Sequence, residues 1–282
     1  MQSVEIKTSD QVTITAHHFQ PDKSDNKVIL INPATGIKQT FYFKYAEYLS
    51  DRGFDVITFD FRGIGMSKHG SLRGFDASMV DWAAKDFSAV TQYIIDNFGD
   101  YQRILIGHSF GGNSLGLSPM ANSYDAYVTI AAPFAYWKFF AKSYQPAMLW
   151  AFYIVIPFFT AIFGYFPSNV KKLGENLPKG VARDWKTFIT HPDSMLEVAN
   201  RNSNYYETID KKMLMVSFSD DKMSPGKAVD VLAERVYTNA DVERLHIEAD
   251  ESAPVGHLGF FKERFKDDLW PVPIKWINEL DL

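Results

Sequence analysis

Six short runs of four to six residues, rich in apolar side chains and with helical segments between most of them, limit what this sequence can fold into more than any other feature. They are Lys27 to Ile31, Val56 to Phe59, Arg103 to Ile106, Tyr127 to Ala131, Met213 to Phe218 and Val242 to Ile247. Short apolar runs of this kind suit strands buried on both faces of a sheet. The stretches between them repeat apolar residues at helical spacing and close on stop signals. Phe41, Tyr45, Tyr48 and Leu49 lie in a stretch from Thr40 to Arg52 ahead of Gly53, and a helix from about Val80 to Phe98 ends at Gly99. Further helices are expected directly after Ser109, around Lys227 to Val236, and from about Leu258 to Leu280. Strands alternating with helices predict an α/β fold, a mostly parallel sheet with helices on both faces. Val12 to Phe19, with its β-branched alternation, adds a strand ahead of the first run.

The alternation stops after Pro133 and resumes at Met213. This predicts a core made of residues 1–133 and 209–282, with a helical insertion at 134–208 that forms a cap. Inside the insertion, Ala147 to Phe166 is a run of 20 residues without a charged side chain, long enough to cross a bilayer. A crossing there would put the strands at Tyr127 and Met213 on opposite sides of a membrane, although both belong in one sheet. Pro157 and Gly164 would also interrupt a long helix, so two shorter helices packed over the sheet are expected. A peripheral membrane contact through the same segment is a further expectation.

Gly107-His108-Ser109-Phe110-Gly111 stands at the end of one predicted strand and the start of one predicted helix. There, a tight turn puts the serine at its apex, above the carboxyl edge of the sheet, as a nucleophile requires. A serine hydroxyl needs a base within hydrogen-bond reach, and on this type of sheet the chain order is serine, acid, histidine. His257, in the loop Val255-Gly256-His257 beyond the last strand, is the preferred base. His246 lies inside a strand, and His191, before Pro192, marks a turn or helix boundary. For the acid, Asp220 and Asp221 both follow the strand Met213 to Phe218. Asp221 is favoured to reach the histidine and Asp220 to cap the turn, with Asp250 and Glu251 as outside candidates. The oxyanion of a tetrahedral intermediate needs two amide donors. Phe110 supplies one. In Asn32-Pro33-Ala34-Thr35-Gly36 the proline has no N–H, which leaves Ala34 or Thr35 for the other, Ala34 being preferred.

Together these segments resemble the serine α/β-hydrolase superfamily: Ile29 to Gly36, Asp60 to Ser67, Gly107 to Gly111, Asp221 to Pro225 and Gly256-His257. Within it the chain resembles a branch of bacterial hydrolases related to the serine aminopeptidase and monoacylglycerol lipase group. Gly164-Tyr165-Phe166-Pro167, Asn176 to Val181 and Asp184-Trp185 carry that likeness into the insertion. The family often has His-Gly where this chain has Asn32-Pro33. The resemblance implies an α/β-hydrolase fold with a cap, and ester hydrolysis through an acyl-enzyme on Ser109. Arg62 and Asp60 are expected to pin their loop rather than to act on substrate.

The expected substrate is a small hydrophobic ester, with a short to medium acyl chain or monoacylglycerol-like, and aromatic residues of the insertion would line its pocket. An amidase or aminopeptidase would use the same three residues but would need a carboxylate for the substrate ammonium, for which Glu175, Glu197 and Glu207 are candidates. Haloalkane or epoxide chemistry would call for a carboxylate at position 109. A non-catalytic ligand-binding or membrane-docking protein would have no reason to hold serine, acid and histidine in order. A net charge of −5 gives no reason to expect nucleic acid. The absence of cysteine excludes disulfides and thiolate metal sites, and no metal or organic cofactor is expected. The first residues carry scattered charge and no apolar run, so a cytoplasmic location is expected.

Overall fold

The computed structural model describes residues 1–168 and 174–280. In chain order the strands are β1 (Gln2–Lys7), β2 (Thr13–Phe19), β3 (Lys27–Asn32), β4 (Asp55–Phe59), β5 (Gln102–His108), β6 (Ala126–Ile130), β7 (Tyr165–Phe166), β8 (Leu177–Pro178), β9 (Lys212–Phe218) and β10 (Asp241–Ile247). Eight of them form one sheet in the order β1-β2-β4-β3-β5-β6-β9-β10, and β7 pairs with β8 in a separate ribbon. From β4 to β10 every pairing in the large sheet is parallel, while β1 and β2 run antiparallel to their neighbours. All strand ends that carry functional loops therefore emerge at one edge.

Alternation along the central strands sends side chains into two cores. Val28, Leu30, Leu105 and Tyr127 join one, and Ile29, Ile31, Ile104, Ile106 and Val128 join the other. Helices α2 (Met79–Asp81) and α3 (Ser88–Phe98) are joined by a π-helical stretch at Trp82–Phe87, and α3 covers the first face. Helix α1 (Phe43–Ser50) covers the opposite face. The chain then forms α4 (Phe110–Asn113) and, between β6 and β9, α5 (Gln145–Trp150), α6 (Ile156–Phe163), α7 (Lys179–Thr190) and α8 (Met195–Arg201). Helix α9 (Gly226–Arg235) returns to the first face and α10 (Pro271–Asn278) to the second.

Four local features depart from the sequence-based expectations. Strand β1 pairs along the sheet edge with only Val4 and Ile6 as apolar residues, too few to register as a strand pattern. The helix after Ser109 stops after one turn. The carbonyl of Asn113 accepts from Tyr206 Oη at 2.7 Å and that of Gly112 from Tyr237 Oη at 2.5 Å, so two tyrosines take acceptors a longer helix would use. The charge-free run is one continuous helical rod from Gln145 to Phe163 rather than two helices. A π-helical stretch at Ala151–Val155 sits just before Pro157 and absorbs its missing N–H, whereas Gly164, left-handed at φ 78°, does end the rod. Finally, Leu258 to Leu280 is not one helix. Tight turns at Gly259–Phe261 and Glu263–Phe265 precede α10, whose first turn carries Pro271 and Pro273, residues tolerated only near a helix start.

Candidate active site

Strand β5 passes into α4 through Ser109, which has φ 51° and ψ −112°, a conformation costly for a residue with a Cβ. The surroundings hold it there. Its N–H donates to the Ile130 carbonyl at 3.0 Å, and its carbonyl accepts from Gly112 and Asn113 at 2.9 and 3.0 Å. A Cβ at Gly107 would stand 2.5 Å from the Gly111 carbonyl oxygen, and one at Gly111 would overlap the Asn32 carbonyl. These two approaches are the reason for glycine two residues either side of the serine. Register does the rest: β3 and β5 pair with Asn32 opposite Gly107, and Asn32 Nδ2 donates to the Gly111 carbonyl at 2.8 Å, tying the loop after β3 to the turn.

His257 Nε2 lies 2.9 Å from Ser109 Oγ, and its Nδ1 lies 2.8 Å from Asp221 Oδ2. Asp221 is 2% exposed, and its other oxygen accepts the amides of Met223 and Ser224 at 2.9 and 3.0 Å. Burial alone would raise its carboxyl. The charge and hydrogen bond of His257, with those two amides, outweigh burial and hold Asp221 below the ordinary carboxylate range. Asp220 serves the same loop differently, since both its oxygens accept the Gly256 amide, at 3.0 and 2.9 Å. The neighbouring aspartates thus divide the work, one holding the loop backbone and the other the imidazole. His246 pairs with Ser217 Oγ at 2.8 Å on β10, and His191 lies beside Asp193 and Glu197; neither is brought to Ser109. Asp250 bonds Ser252 in its own exposed loop.

The preference for Ala34 as second oxyanion donor is corrected by the structure. Its amide donates to Tyr42 Oη at 3.0 Å and is already engaged. Thr35, the next residue, lines the pocket beside Ser109, and its amide has no hydrogen-bond partner among the described residues. Phe110 opens α4, where an N–H has no acceptor within the helix.

Tyr42 belongs to a buried relay that the motif pattern does not reveal. Its hydroxyl lies 2.9 Å from His108 Nδ1, and His108 Nε2 lies 2.9 Å from the His257 carbonyl. Burial first, and then the charge of His257, push the His108 ring down to about 3, so it stays neutral. Burial raises the Tyr42 hydroxyl well above its usual range, so it stays a donor. With one proton on a neutral ring, Nε2–H donates to His257 and Nδ1 accepts from Tyr42. The relay thus joins the loop after β3, the turn and the His257 loop.

The Asp60 to Ser67 loop is held internally. Asp60 accepts from Gln39 and Met66, and Arg62 is paired to Asp86 at 2.6 Å and Asp10 at 2.7 Å. Residues singled out in the insertion tie it to the core: the Glu175 amide donates to the Gly36 carbonyl at 2.8 Å, and Asp184 accepts the Met79 amide at 3.1 Å. Phe140, Trp185, Phe188 and Ile189 from the insertion, with Met223, close a cavity of about 20 Å³ around Ser109 and His257. His191, Asp193 and Glu197 converge within 4.8 Å as a conceivable cation site, but Arg235 and Arg201 already pair with the two carboxylates.

Residues 23–248 match the sequence profile of the family described as serine aminopeptidase, S33. No curated protein matches the chain. Among solved structures, an esterase of Pyrococcus furiosus is similar at 18% identity, with 98% of this chain and 90% of that one covered and a TM-score of 0.63. A thermophilic esterase of Thermogutta terrifontis, with malate bound, is similar at 15% identity, with 99% of each chain covered and a TM-score of 0.62. A ferulic acid-bound protein of Butyrivibrio proteoclasticus is similar at 15% identity, over 98% of this chain and 100% of that one, with a TM-score of 0.63. At these identities the likeness concerns the fold, and the fold is that of an α/β-hydrolase.

Proposed function

The chain belongs to the serine aminopeptidase family of α/β-hydrolases, and from that premise we propose that it cleaves carboxylic esters of short to medium acyl chains, or monoacylglycerol-like esters, through an acyl-enzyme on Ser109. The observation that carries this reading is the unbroken series from Ser109 Oγ to His257 to Asp221, at 2.9 and 2.8 Å. His257 Nε2 takes the serine proton as the oxygen attacks the ester carbonyl, and the imidazolium then protonates the departing alcohol. Water repeats both steps on the acyl serine. Asp221 fixes the histidine tautomer and stabilises its cation without accepting the proton. The amides of Phe110 and Thr35 meet the oxyanion, with Ala34 acting through Tyr42 to hold the loop.

Ester is favoured over aminoacyl substrates because no carboxylate lines the cavity beside Ser109 among the described residues. Of the three candidates for binding an ammonium, Glu175 pairs with Lys38 at 3.5 Å, Glu197 pairs with Arg201, and Glu207 stands exposed beside Tyr206. The insertion, residues 134–208, is read as a cap whose Phe140, Trp185, Phe188 and Ile189 form the acyl wall. A cavity of about 20 Å³ holds roughly one water, so those side chains must shift to admit an acyl group.

The test is turnover of p-nitrophenyl esters from acetate to palmitate, run beside aminoacyl p-nitroanilides. Ester turnover is expected, with its optimum at short or medium chains, and hydrolysis of the anilides alone would replace this reading with a peptidase.

A further inference from the structure

The rod from Gln145 to Phe163 has two opposite apolar faces. Met148, Phe152, Ile156 and Thr160, four residues apart, are buried against the protein. Trp150, Ile154, Phe158 and Ile162, also four apart, point away from it at 62%, 50%, 58% and 51% exposure. A surface helix ordinarily turns polar residues outward. Elsewhere among the described residues the large exposed apolar side chains are scattered singly, at Met1, Met66 and Leu258, so the patch is confined to this rod.

The charge around the rod indicates what covers it. The described residues of the segment 134–186 carry five basic side chains and two acidic ones, a net of +3 in a chain whose total is −5. Lys138 and Lys142 stand exposed just before the rod, Arg73 packs against Gly164 at its far end, and Lys186 Nζ lies 5.5 Å from the Tyr153 ring along its flank. A second copy docked on this face would bring two such positive segments together across the two-fold axis, which disfavours self-association through the rod. A transmembrane position would strip the inner stripe from its protein contacts, including Phe152, whose ring meets Trp185 at 4.9 Å.

We propose that this rod lies flat on an anionic lipid surface, with Trp150, Ile154, Phe158 and Ile162 inserted among the acyl chains and the lysines meeting the headgroups. The contact bears on the candidate active site, because Phe152 touches Trp185 and Trp185 lines the cavity at Ser109. The proposal stands on the rod and its charge, independently of the ester reading.

Flotation of the full chain with vesicles tests it. The wild type should float with phosphatidylcholine vesicles containing phosphatidylglycerol, less well with phosphatidylcholine alone, and less as salt is raised. Ile154→Ser, Phe158→Ser and Ile162→Ser together should lower partitioning by about a hundredfold, and Lys138→Gln with Lys142→Gln by about thirtyfold. Turnover of a soluble ester by the triple variant should match the wild type, showing that the fold is kept. A wild type that does not float with anionic vesicles, or a triple variant that floats equally well, overturns the proposal. So does a concentration-dependent dimer abolished by the triple substitution, which would assign the face to a second copy. A wild type that floats yet hydrolyses no ester would remove the proposed activity and leave the docking intact.

Discussion

Replacing Tyr42 by Phe removes one oxygen from a fully buried site and leaves the ring in place against Phe261 and Phe41, at centroid distances of 4.8 and 5.3 Å. That oxygen satisfies two buried groups, the Ala34 N–H and His108 Nδ1. Leaving a buried donor or acceptor unpaired costs about 1–3 kcal/mol each, so the expected loss of stability is roughly 3 kcal/mol. Unfolding entropy of about 2.1 cal/mol/K per residue converts this to a drop in Tm of about 5 °C for a chain of this length. Tyr45→Phe is the control. Its hydroxyl is equally buried but has no hydrogen-bond partner among the described residues, so the same substitution three positions away should be neutral or slightly stabilising. Thermal unfolding followed by circular dichroism measures both. Loosening the loop after β3 should also misplace the Thr35 amide and lower kcat by about tenfold, less than the roughly 10²–10³ that follows from losing an oxyanion donor outright. Equal Tm values for the two variants, with kcat unchanged in Tyr42→Phe, would rule out the relay as a positioning device.

Asp221→Asn should lower kcat by about 10⁴ while the protein stays folded, since the amide stabilises the wrong imidazole tautomer; steady-state ester kinetics would show it. Asp220→Ala frees the Gly256 amide and should cost about tenfold in kcat, a much smaller loss than at Asp221. His108 titrates near 6.5 when unfolded and near 3 when folded, so below pH 6.5 the unfolded chain takes up a proton that the folded chain refuses. Stability should therefore fall by about 1.4 kcal/mol per pH unit from there down to about pH 3, read as urea midpoints across that range. Asp221, held low in the fold, stabilises above its unfolded value and loses that contribution further into acid, adding to the slope. Gly111→Ala should yield no soluble folded protein on expression, because the added carbon meets backbone at Asn32 rather than a movable side chain.

The parallel sheet was legible because its strands are buried on both faces and so write continuous apolar runs. Edge strand β1, buried on one side only, wrote almost nothing. Ser109, Asp221 and His257 could be picked out because each lies in the segment that leaves a recognisable strand end, one, three and ten residues beyond it, and strand ends fix which loops share an edge. Residues acting through distant partners were harder to see. Nothing near Ala34 in sequence announces that Tyr42, eight positions on, will take its amide, so the choice between Ala34 and Thr35 could not be made from the loop alone. The rod from Gln145 to Phe163 shows a similar limit, since Pro157 signals a break only when the preceding turn keeps α geometry, and here that turn widens. Tyr206 and Tyr237, which end the helix after Ser109, come from elements about a hundred residues away.

Peptide mapping after exposure to a fluorophosphonate tests most directly whether the hydroxyl beside His257 is the reactive centre. A single adduct on Ser109, abolished in Ser109→Ala and strongly slowed in His257→Ala, is the predicted result. An adduct on another residue, or equal labelling of Ser109→Ala, would contradict it.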